Sequence, residues 1–194
     1  MKFNTLKYKS TSLLKEKGSK FYGYAFPITS KEEVKHLLDT IREEHPKARH
    51  FCTALLIGTG DNEYYLTNDD GEPSNSAGAP ILGQIRSHGL TNVFIAVVRY
   101  FGGTKLGISG LIKAYKETAA QAIASNEIIS KEPMSLLRFQ APFSILGEVL
   151  SIVDKNNLPV QVDNGNNHAQ ITIHCKTAET DQIKQLFNRL EISF

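Results

Sequence analysis

The sequence lacks the features of a membrane-spanning or secreted protein. No apolar run approaches the roughly 18 to 20 residues that a membrane helix needs, and the N-terminus has no apolar segment of signal-peptide length. Only two cysteines occur, Cys52 and Cys175, and both lie on alternating apolar patterns, which favours free buried thiols over a disulfide or a catalytic thiol. We therefore expect a cytoplasmic protein without redox chemistry and without a membrane partner.

The net charge is also small, because 22 lysines and arginines and 20 acidic residues give a total of only +2. That total is too small to identify a nucleic-acid-binding protein, but the charges are unevenly distributed. Residues 1–20 carry six lysines and one acid, residues 99–116 carry four cations and no acid, and residues 61–72 carry five acids and no base. Acidic and basic segments therefore flank one glycine-rich region.

The chain is long enough for two small domains, since 194 residues exceed the commonest single-domain size. A proline that directly follows two charged residues, in Lys131-Glu132-Pro133, predicts a boundary, with an N-terminal domain at 1–130 and a C-terminal domain at 131–194. The pattern after it predicts the ferredoxin-like order β-α-β-β-α-β, with a helix starting at Thr177 or Glu179 between the last two strands. The other predicted elements are strand 136–143, helix 144–156, strands 158–162 and 169–176, and a short strand 191–194. Because this domain shows no convergent polar groups, we expect it to bind or dock a partner, with a protein as the candidate, rather than to catalyse a reaction.

The N-terminal domain is predicted to mix helices and strands. Residues 1–20 are interpreted as a basic arm. Ser30 and Glu33 have capping-box spacing at the start of a helix that Pro46 stops, and Ser76 is the predicted cap of a helix that Gly89 ends. The remaining elements are strand 20–28, a hairpin of 49–57 with 63–67, a central buried strand 92–100, and a helix to about residue 126.

A glycine-rich turn, FGGTKLG at 101–107, follows the predicted central strand and precedes a helix. Backbone N–H groups in such a turn can hold an anion, and Lys105 would add positive charge. The glycine spacing is that of a P-loop, but Ile108-Ser109 replaces the required Lys-Ser/Thr, so nucleotide hydrolysis is not supported. Two interpretations stay open: tight strand-to-helix packing alone, or contact with an anion or nucleic acid.

Three acids, Asp69, Asp70 and Glu72, lie close together in a loop of glycine, proline and serine. Such acids can surround Mg²⁺, but in this composition they are more often turn formers or helix-cap acceptors. A nucleophilic triad with His88 lacks a G-x-S-x-G elbow, and the histidines show no zinc spacing. We expect no metal, no cofactor and no catalytic residue.

Arg99 and Tyr100 end the predicted central strand, where polar groups must reach solvent at the carboxyl edge of a sheet. An arginine with a tyrosine can pair a phosphate and stack a base. Alternatively, Arg99 only pairs with one of the three loop acids and holds the loop in place. Both interpretations require the 69–78 loop to lie near the strand end.

Three segments resemble the IMPACT family, specifically its bacterial two-domain YigZ type: DDGEPSNSAGAPIL at 69–82, HGLTNVFIAVVRYFGGTKLGISGLIKAY at 88–115, and KGSKFYGYAFPI at 17–28. The resemblance implies an α+β protein, with a ribosomal-protein-S5-domain-2-like N-terminal domain and a ferredoxin-like C-terminal domain similar to domains of elongation factor G. The family's signature residues fall here on Asp69, Asp70, Gly71, Glu72, Pro73, Ala77, Gly78, Pro80, Arg99, Tyr100, Phe101, Gly102, Gly103, Leu106, Gly107, Gly110 and Tyr115. The chain departs from the family where SNSAG at 74–78 replaces Ser-Gly-Thr-Ala-Gly, and where Ala79 replaces a basic residue.

The leading hypothesis is a non-enzymatic module that contacts RNA or the ribosome in translation regulation. Its expected anion-binding residues are Arg99, Tyr100, Gly102, Gly103, Lys105, Lys113 and Lys116, beside a signature loop of Asp69, Asp70, Gly71, Glu72, Pro73, Ser74 and Gly78. The alternative is a hydrolase or nucleotide-using enzyme with a pocket between the 69–75 loop and the 101–107 turn.

Overall fold

The computed structural model describes residues 2–190 and 192–194. The chain divides into two compact units, one spanning Phe3–Lys131 and the other containing Glu132–Phe194. Both units contain helices and strands, so the protein is of the α+β class, as predicted. None of the helices in these ranges is long and apolar enough to span a membrane.

The N-terminal unit contains seven strands and three helices among the described residues. The strands are β1 (Phe3–Leu6), β2 (Ser10–Glu16), β3 (Ser19–Pro27), β4 (His50–Ile57), β5 (Tyr64–Asn68), β6 (Val93–Tyr100) and β7 (Ile128–Lys131), and the helices are α1 (Glu33–Glu44), α2 (Gly78–Ser87) and α3 (Gly107–Ala124). Five of the strands form an antiparallel sheet with the order β2-β3-β6-β4-β5. A separate antiparallel pair joins β1 to β7.

The central position of β6 confirms the prediction made from its continuous apolar run. Alternate side chains of this strand enter two cores, because successive residues of a strand point to opposite faces. Ile95 and Val97 pack with α2 and α3, whereas Phe94 and Val98 pack with α1. The strand is therefore covered on both faces until it reaches Tyr100, where burial becomes partial.

The prediction of a basic N-terminal arm is wrong, because most of residues 3–16 form strands β1 and β2. Lys17 and Gly18 make the turn from β2 to β3, with φ angles of 45° and 81° that match a tight two-residue hairpin. The Ser10 hydroxyl donates to the Ala122 carbonyl at 2.7 Å, and Ser12 donates similarly to Thr118 at 2.8 Å. Polar side chains thus anchor β2 to α3, which is why no apolar alternation marks the strand.

Both predicted helix caps differ from the structure. At α1 only half of the capping box forms, since the Glu33 carboxylate accepts the Ser30 N–H at 3.0 Å without a return bond from the serine side chain. Ser76 is not the cap of α2, because its hydroxyl donates to the Pro73 carbonyl at 2.6 Å. The predicted end of α2 is confirmed by Gly89, whose φ of 62° is left-handed.

The C-terminal unit confirms the first five elements of the predicted β-α-β-β-α-β order. They are β8 (Met134–Pro142), α4 (Phe143–Lys155), β9 (Val160–Asn164), β10 (His168–Lys176) and α5 (Thr180–Leu186), and the antiparallel sheet has the order β8-β10-β9. The predicted last strand, 191–194, is not formed over 192–194, and residue 191 lies outside the described residues. One core that includes Phe139, Ile171 and Phe187 holds the sheet to its helices.

Candidate nucleic-acid interface

A buried ion pair joins the acidic loop to the end of β6. The Arg99 guanidinium lies 2.6 Å from Glu72 Oε1, and the two side chains are only 7% and 4% exposed. The Tyr115 hydroxyl donates to the same carboxylate oxygen at 2.8 Å. The predicted proximity of loop and strand end is therefore present, and Glu72 is the acid that neutralises Arg99.

Two uncharged groups complete this buried cluster. The Cys52 thiol lies 3.0 Å from the Asp69 carbonyl oxygen and 3.3 Å from the Tyr115 hydroxyl. Burial raises the pKa of Cys52 to about 12 and also raises the pKa of Tyr115, so both groups stay protonated at neutral pH. Cys52 and Cys175 are free and buried, which confirms that prediction.

Asp69 folds the loop over the start of α2. Its carboxylate accepts the backbone N–H groups of Ala77 at 2.9 Å, Gly78 at 2.8 Å and Asn75 at 2.8 Å. These N–H groups lie at or before the first turn of the helix, where they have no partner within it. Asp69 therefore replaces Ser76 as the residue that caps α2.

Asp70 ties the loop to the start of β4. Its carboxylate accepts the Phe51 N–H at 2.7 Å, and its carbonyl oxygen lies 2.9 Å from His50 Nδ1. All three loop acids thus hold structural hydrogen bonds. Across 2–190 and 192–194, no group of three or more histidine, cysteine or acidic side chains is arranged to hold a metal ion.

The glycine turn packs directly against the β2–β3 hairpin. A Cβ atom added to Gly102 would overlap the carbonyl carbon of Gly18, so only glycine permits this approach. The Gly102 N–H also donates to the Ser19 hydroxyl at 3.1 Å. Gly103, with φ of 89°, faces open space. The contact between Gly18 and Gly102 brings the lysine-rich hairpin, whose residues were not among the predicted anion-binding residues, next to the glycine turn.

Four exposed lysines belong to the hairpin and the glycine turn that meet here: Lys15, Lys17, Lys20 and Lys105. Lys15 and Lys20 are direct partners in the register of β2 and β3, which places like charges opposite each other. Within the described ranges, none of the four forms an ion pair. They form a positive rim, here called the lysine rim.

The remaining predicted site residues lie on opposite faces of the sheet. Tyr100 lies on the α1 face of the sheet, and its hydroxyl is 3.0 Å from His45 Nδ1. Lys113 and Lys116 lie on the exposed face of α3, about two turns beyond its start. The sheet is antiparallel, so the expectation of a ligand at the carboxyl edge of parallel strands does not apply.

Several site residues were not singled out as such from the sequence, namely Lys15, Lys17, Gly18, Lys20 and His45. A signal for the hairpin existed in Lys17-Gly18, since a glycine between two extended segments is typical of a tight turn. No local signal could have placed His45 against Tyr100, which is 55 residues away in the chain.

Known proteins match this chain over most of its length. Residues 17–123 match the Impact N-terminal domain. The IMPACT family member YvyE of Bacillus subtilis is 26% identical over 172 residues, which cover 89% of this chain and 79% of YvyE. The IMPACT family member YigZ of Escherichia coli is 38% identical over 113 residues, which cover 58% of this chain and 55% of YigZ.

A solved structure extends the similarity to both units. It is a crystal structure described as that of a hypothetical protein, with 26% identity and a TM-score of 0.79, and the match covers 99% of this chain and 95% of the other. The residues 17–123 that match the Impact N-terminal domain include the hairpin turn, the acidic loop, β6 and the glycine turn. The chain belongs to the IMPACT family, and within it to the YigZ type.

Proposed function

We propose that the N-terminal unit is a non-enzymatic module that binds RNA, ribosomal RNA included, in the regulation of translation. The observation that supports the proposal is the lysine rim, whose four cations have no acidic partner in the part of the chain that the structure describes. Like charges opposed across a hairpin cost stability unless an anion lies between them. RNA supplies such anions as a regular row of phosphates.

The other predicted residues take different parts in this proposal. Gly102 and Gly103 present an exposed turn among the lysines, whereas Lys113 and Lys116 are further exposed cations on α3, whose buried residues pack on the face of the sheet opposite Tyr100. Arg99 is buried against Glu72, so its part is to hold the acidic loop and the strand end together rather than to reach a phosphate. The proposed phosphate contacts therefore come from exposed lysines alone.

We propose no reaction for the acidic loop. A hydrolase would need a carboxylate free to act on substrate or metal, whereas Asp69 and Asp70 accept backbone N–H groups and Glu72 pairs with Arg99. Ribosomal RNA is the first RNA to test because both halves of the chain resemble translation-factor domains. A protein partner for the C-terminal unit stays a prediction.

The salt dependence of RNA binding tests the proposal. Fluorescence anisotropy with a labelled single strand of about 12 nucleotides, between about 50 and 200 mM salt, should give a log-log slope of about −0.7 per phosphate contact. Replacing Lys15, Lys17 and Lys20 by glutamine should weaken binding and make the slope less steep by about 2. Absence of RNA binding at about 50 mM salt would refute the proposal.

A matched variant separates local contacts from net charge. Lys35, Lys131 and Lys155 are exposed, lie away from the rim in the chain, and form no ion pair within the described residues. Replacing these three by glutamine removes the same total charge. The slope should then stay close to that of the unmodified protein, and an equal change in both triple variants would contradict a localised site.

A further inference from the structure

A cleft of about 350 Å³ opens beside the glycine turn, at the end of β6. Four of its six lining residues are aromatic and one is a lysine: Gly18, Lys20, Tyr22, His45, Tyr100 and Phe101. Ligand pockets in proteins range from about 300 to 1,000 Å³, so this cleft lies at the small end. Its size suits one flat ring system rather than a helix or a folded segment of a partner.

A hydrogen-bond chain fixes the inner wall of the cleft. The Tyr24 hydroxyl lies 3.0 Å from Glu44 Oε2, to which it donates, and 2.6 Å from His45 Nε2. Because the Tyr24 hydroxyl donates its proton to Glu44, the Tyr24 oxygen accepts a hydrogen bond from His45 Nε2–H. His45 Nδ1 is then unprotonated and accepts a hydrogen bond from the Tyr100 hydroxyl at 3.0 Å. Both imidazole nitrogens are thus occupied, and His45 serves to orient Tyr100.

Tyr22 completes this wall. Its ring centroid lies 4.9 Å from that of His45 and 5.8 Å from that of Tyr100. Three rings therefore support one another at distances typical of aromatic contacts. A rigid aromatic wall loses little conformational entropy when a planar ligand packs against it.

Phe101 forms the outer side of the cleft and is 58% exposed. The Arg99 guanidinium lies 5.6 Å from its ring centroid and 5.5 Å from that of Phe21, and Glu72 holds this guanidinium in place. The buried ion pair thus supports an exposed aromatic ring from behind. Lys20 of the lysine rim lies in the same opening.

Resting on the RNA-binding function proposed above, we propose that this cleft takes one unpaired base of single-stranded RNA. The base stacks on Phe101 and against the Tyr22 and Tyr100 wall, while Lys20 pairs an adjacent phosphate. Stacking on aromatic side chains beside a positive groove is how proteins hold single strands with little sequence preference. A duplex keeps its bases stacked inside the helix, so the cleft would select single strands.

Anisotropy with three labelled RNAs of equal length tests this assignment: a single strand, its duplex, and a single strand with abasic positions. Phe101→Ala should weaken binding of the intact single strand by roughly 5- to 150-fold and leave its salt slope unchanged, because a stacking contact releases no counterions. The unmodified protein should bind the abasic strand about as weakly as Phe101→Ala binds the intact one. Tyr65→Ala is the control, because Tyr65 is 52% exposed on β5, at the far edge of the sheet.

The outcomes separate the two proposals. RNA binding that is sensitive to the rim lysines but unchanged by Phe101→Ala would overturn the base-binding cleft and leave RNA binding intact. Equal affinity for intact and abasic strands would also overturn it and would assign the cleft to another occupant, such as an apolar side chain of a protein. Failure of the unmodified protein to bind any of the three RNAs would refute RNA binding itself.

Discussion

The buried cluster around Glu72 and the lysine rim are two charged regions joined through the end of β6, and they handle charge in opposite ways. Arg99 and Glu72 neutralise each other out of contact with water, and Tyr115 shares their hydrogen bonds. Lys15 and Lys20 face each other in solvent, and neither pairs with an acid among the residues that the structure describes. The charges that stabilise the fold here, those of Arg99 and Glu72, are therefore distinct from the exposed lysine charges that a ligand could reach.

The largest effect is expected from breaking the buried pair. Arg99→Met would leave the Glu72 carboxylate buried without its cation, which typically costs about 3–5 kcal/mol of unfolding free energy. Urea unfolding measures that loss. The RNA salt slope of the protein that remains folded should not change, since Arg99 is not among the proposed phosphate contacts.

Two variants control this experiment. Lys105→Met removes an exposed cation and should change stability by no more than about 0.5 kcal/mol. Combining Arg99→Met with Glu72→Met removes both buried charges and should recover much of the lost stability. A loss below about 1 kcal/mol for Arg99→Met alone would contradict the structural role of the pair.

The second effect concerns the contact that joins the rim to the turn. Gly102→Ala would force the hairpin away from the glycine turn and should cost about 1–3 kcal/mol, with weaker RNA binding because the lysines separate. Gly83→Ala is the matched control, since Gly83 lies within α2 with open space around it and alanine favours the helix. Thermal unfolding of both variants checks the contrast. Equal melting temperatures would show that the hairpin does not depend on this contact.

The third effect tests how the acidic loop is held. Asp69→Ala removes the acceptor for three backbone N–H groups at the start of α2, and loss of a cap costs about 1–2 kcal/mol. Ser74→Ala, at an exposed position of the same loop, should be close to neutral. Urea unfolding of the two variants measures the difference, and similar midpoints would argue against Asp69 as the cap.

The sequence predicted those parts of the fold that local pattern determines. The apolar run of β6 and the glycine after α2 are local signals, and both were found where expected. The strand β2 escaped prediction because Ser10 and Ser12 face α3 through hydrogen bonds rather than apolar contacts. A strand that is anchored by polar side chains lacks the alternation of apolar and polar residues from which strands are predicted.

For the site, the sequence predicted that Arg99 pairs with a loop acid but not which of the three acids it is. Three acids near one arginine predicted an ion pair, but the choice of Glu72 follows from the folded loop, in which Asp69 and Asp70 are used by backbone N–H groups. The cap from Asp69 spans eight and nine residues, beyond the three-residue spacing of a capping box. Contacts of this range depend on tertiary structure.

The smallest effect concerns the wall of the cleft, because this wall holds a buried imidazole that could gain charge. Burial lowers the pKa of His45 below the value of about 6.5 expected in an unfolded chain, and Glu44 opposes this shift. Tyr22, Tyr24 and Tyr100 are the other titratable groups around the imidazole, and Lys9 lies 3.7 Å from Glu44.

The sign of the pH effect follows from proton linkage. At pH values between the lowered pKa of folded His45 and about 6.5, the unfolded chain binds more protons than the folded protein. The stability contributed by neutral His45 is therefore present above about pH 6.5 and is lost as the pH falls through the folded pKa. Urea unfolding between about pH 7.5 and 5 should show this decline, and His45→Gln should make it shallower. His36→Gln, at an exposed position on α1, should leave the decline unchanged. If His45→Gln keeps the full decline, a group other than the His45 imidazole is responsible for it.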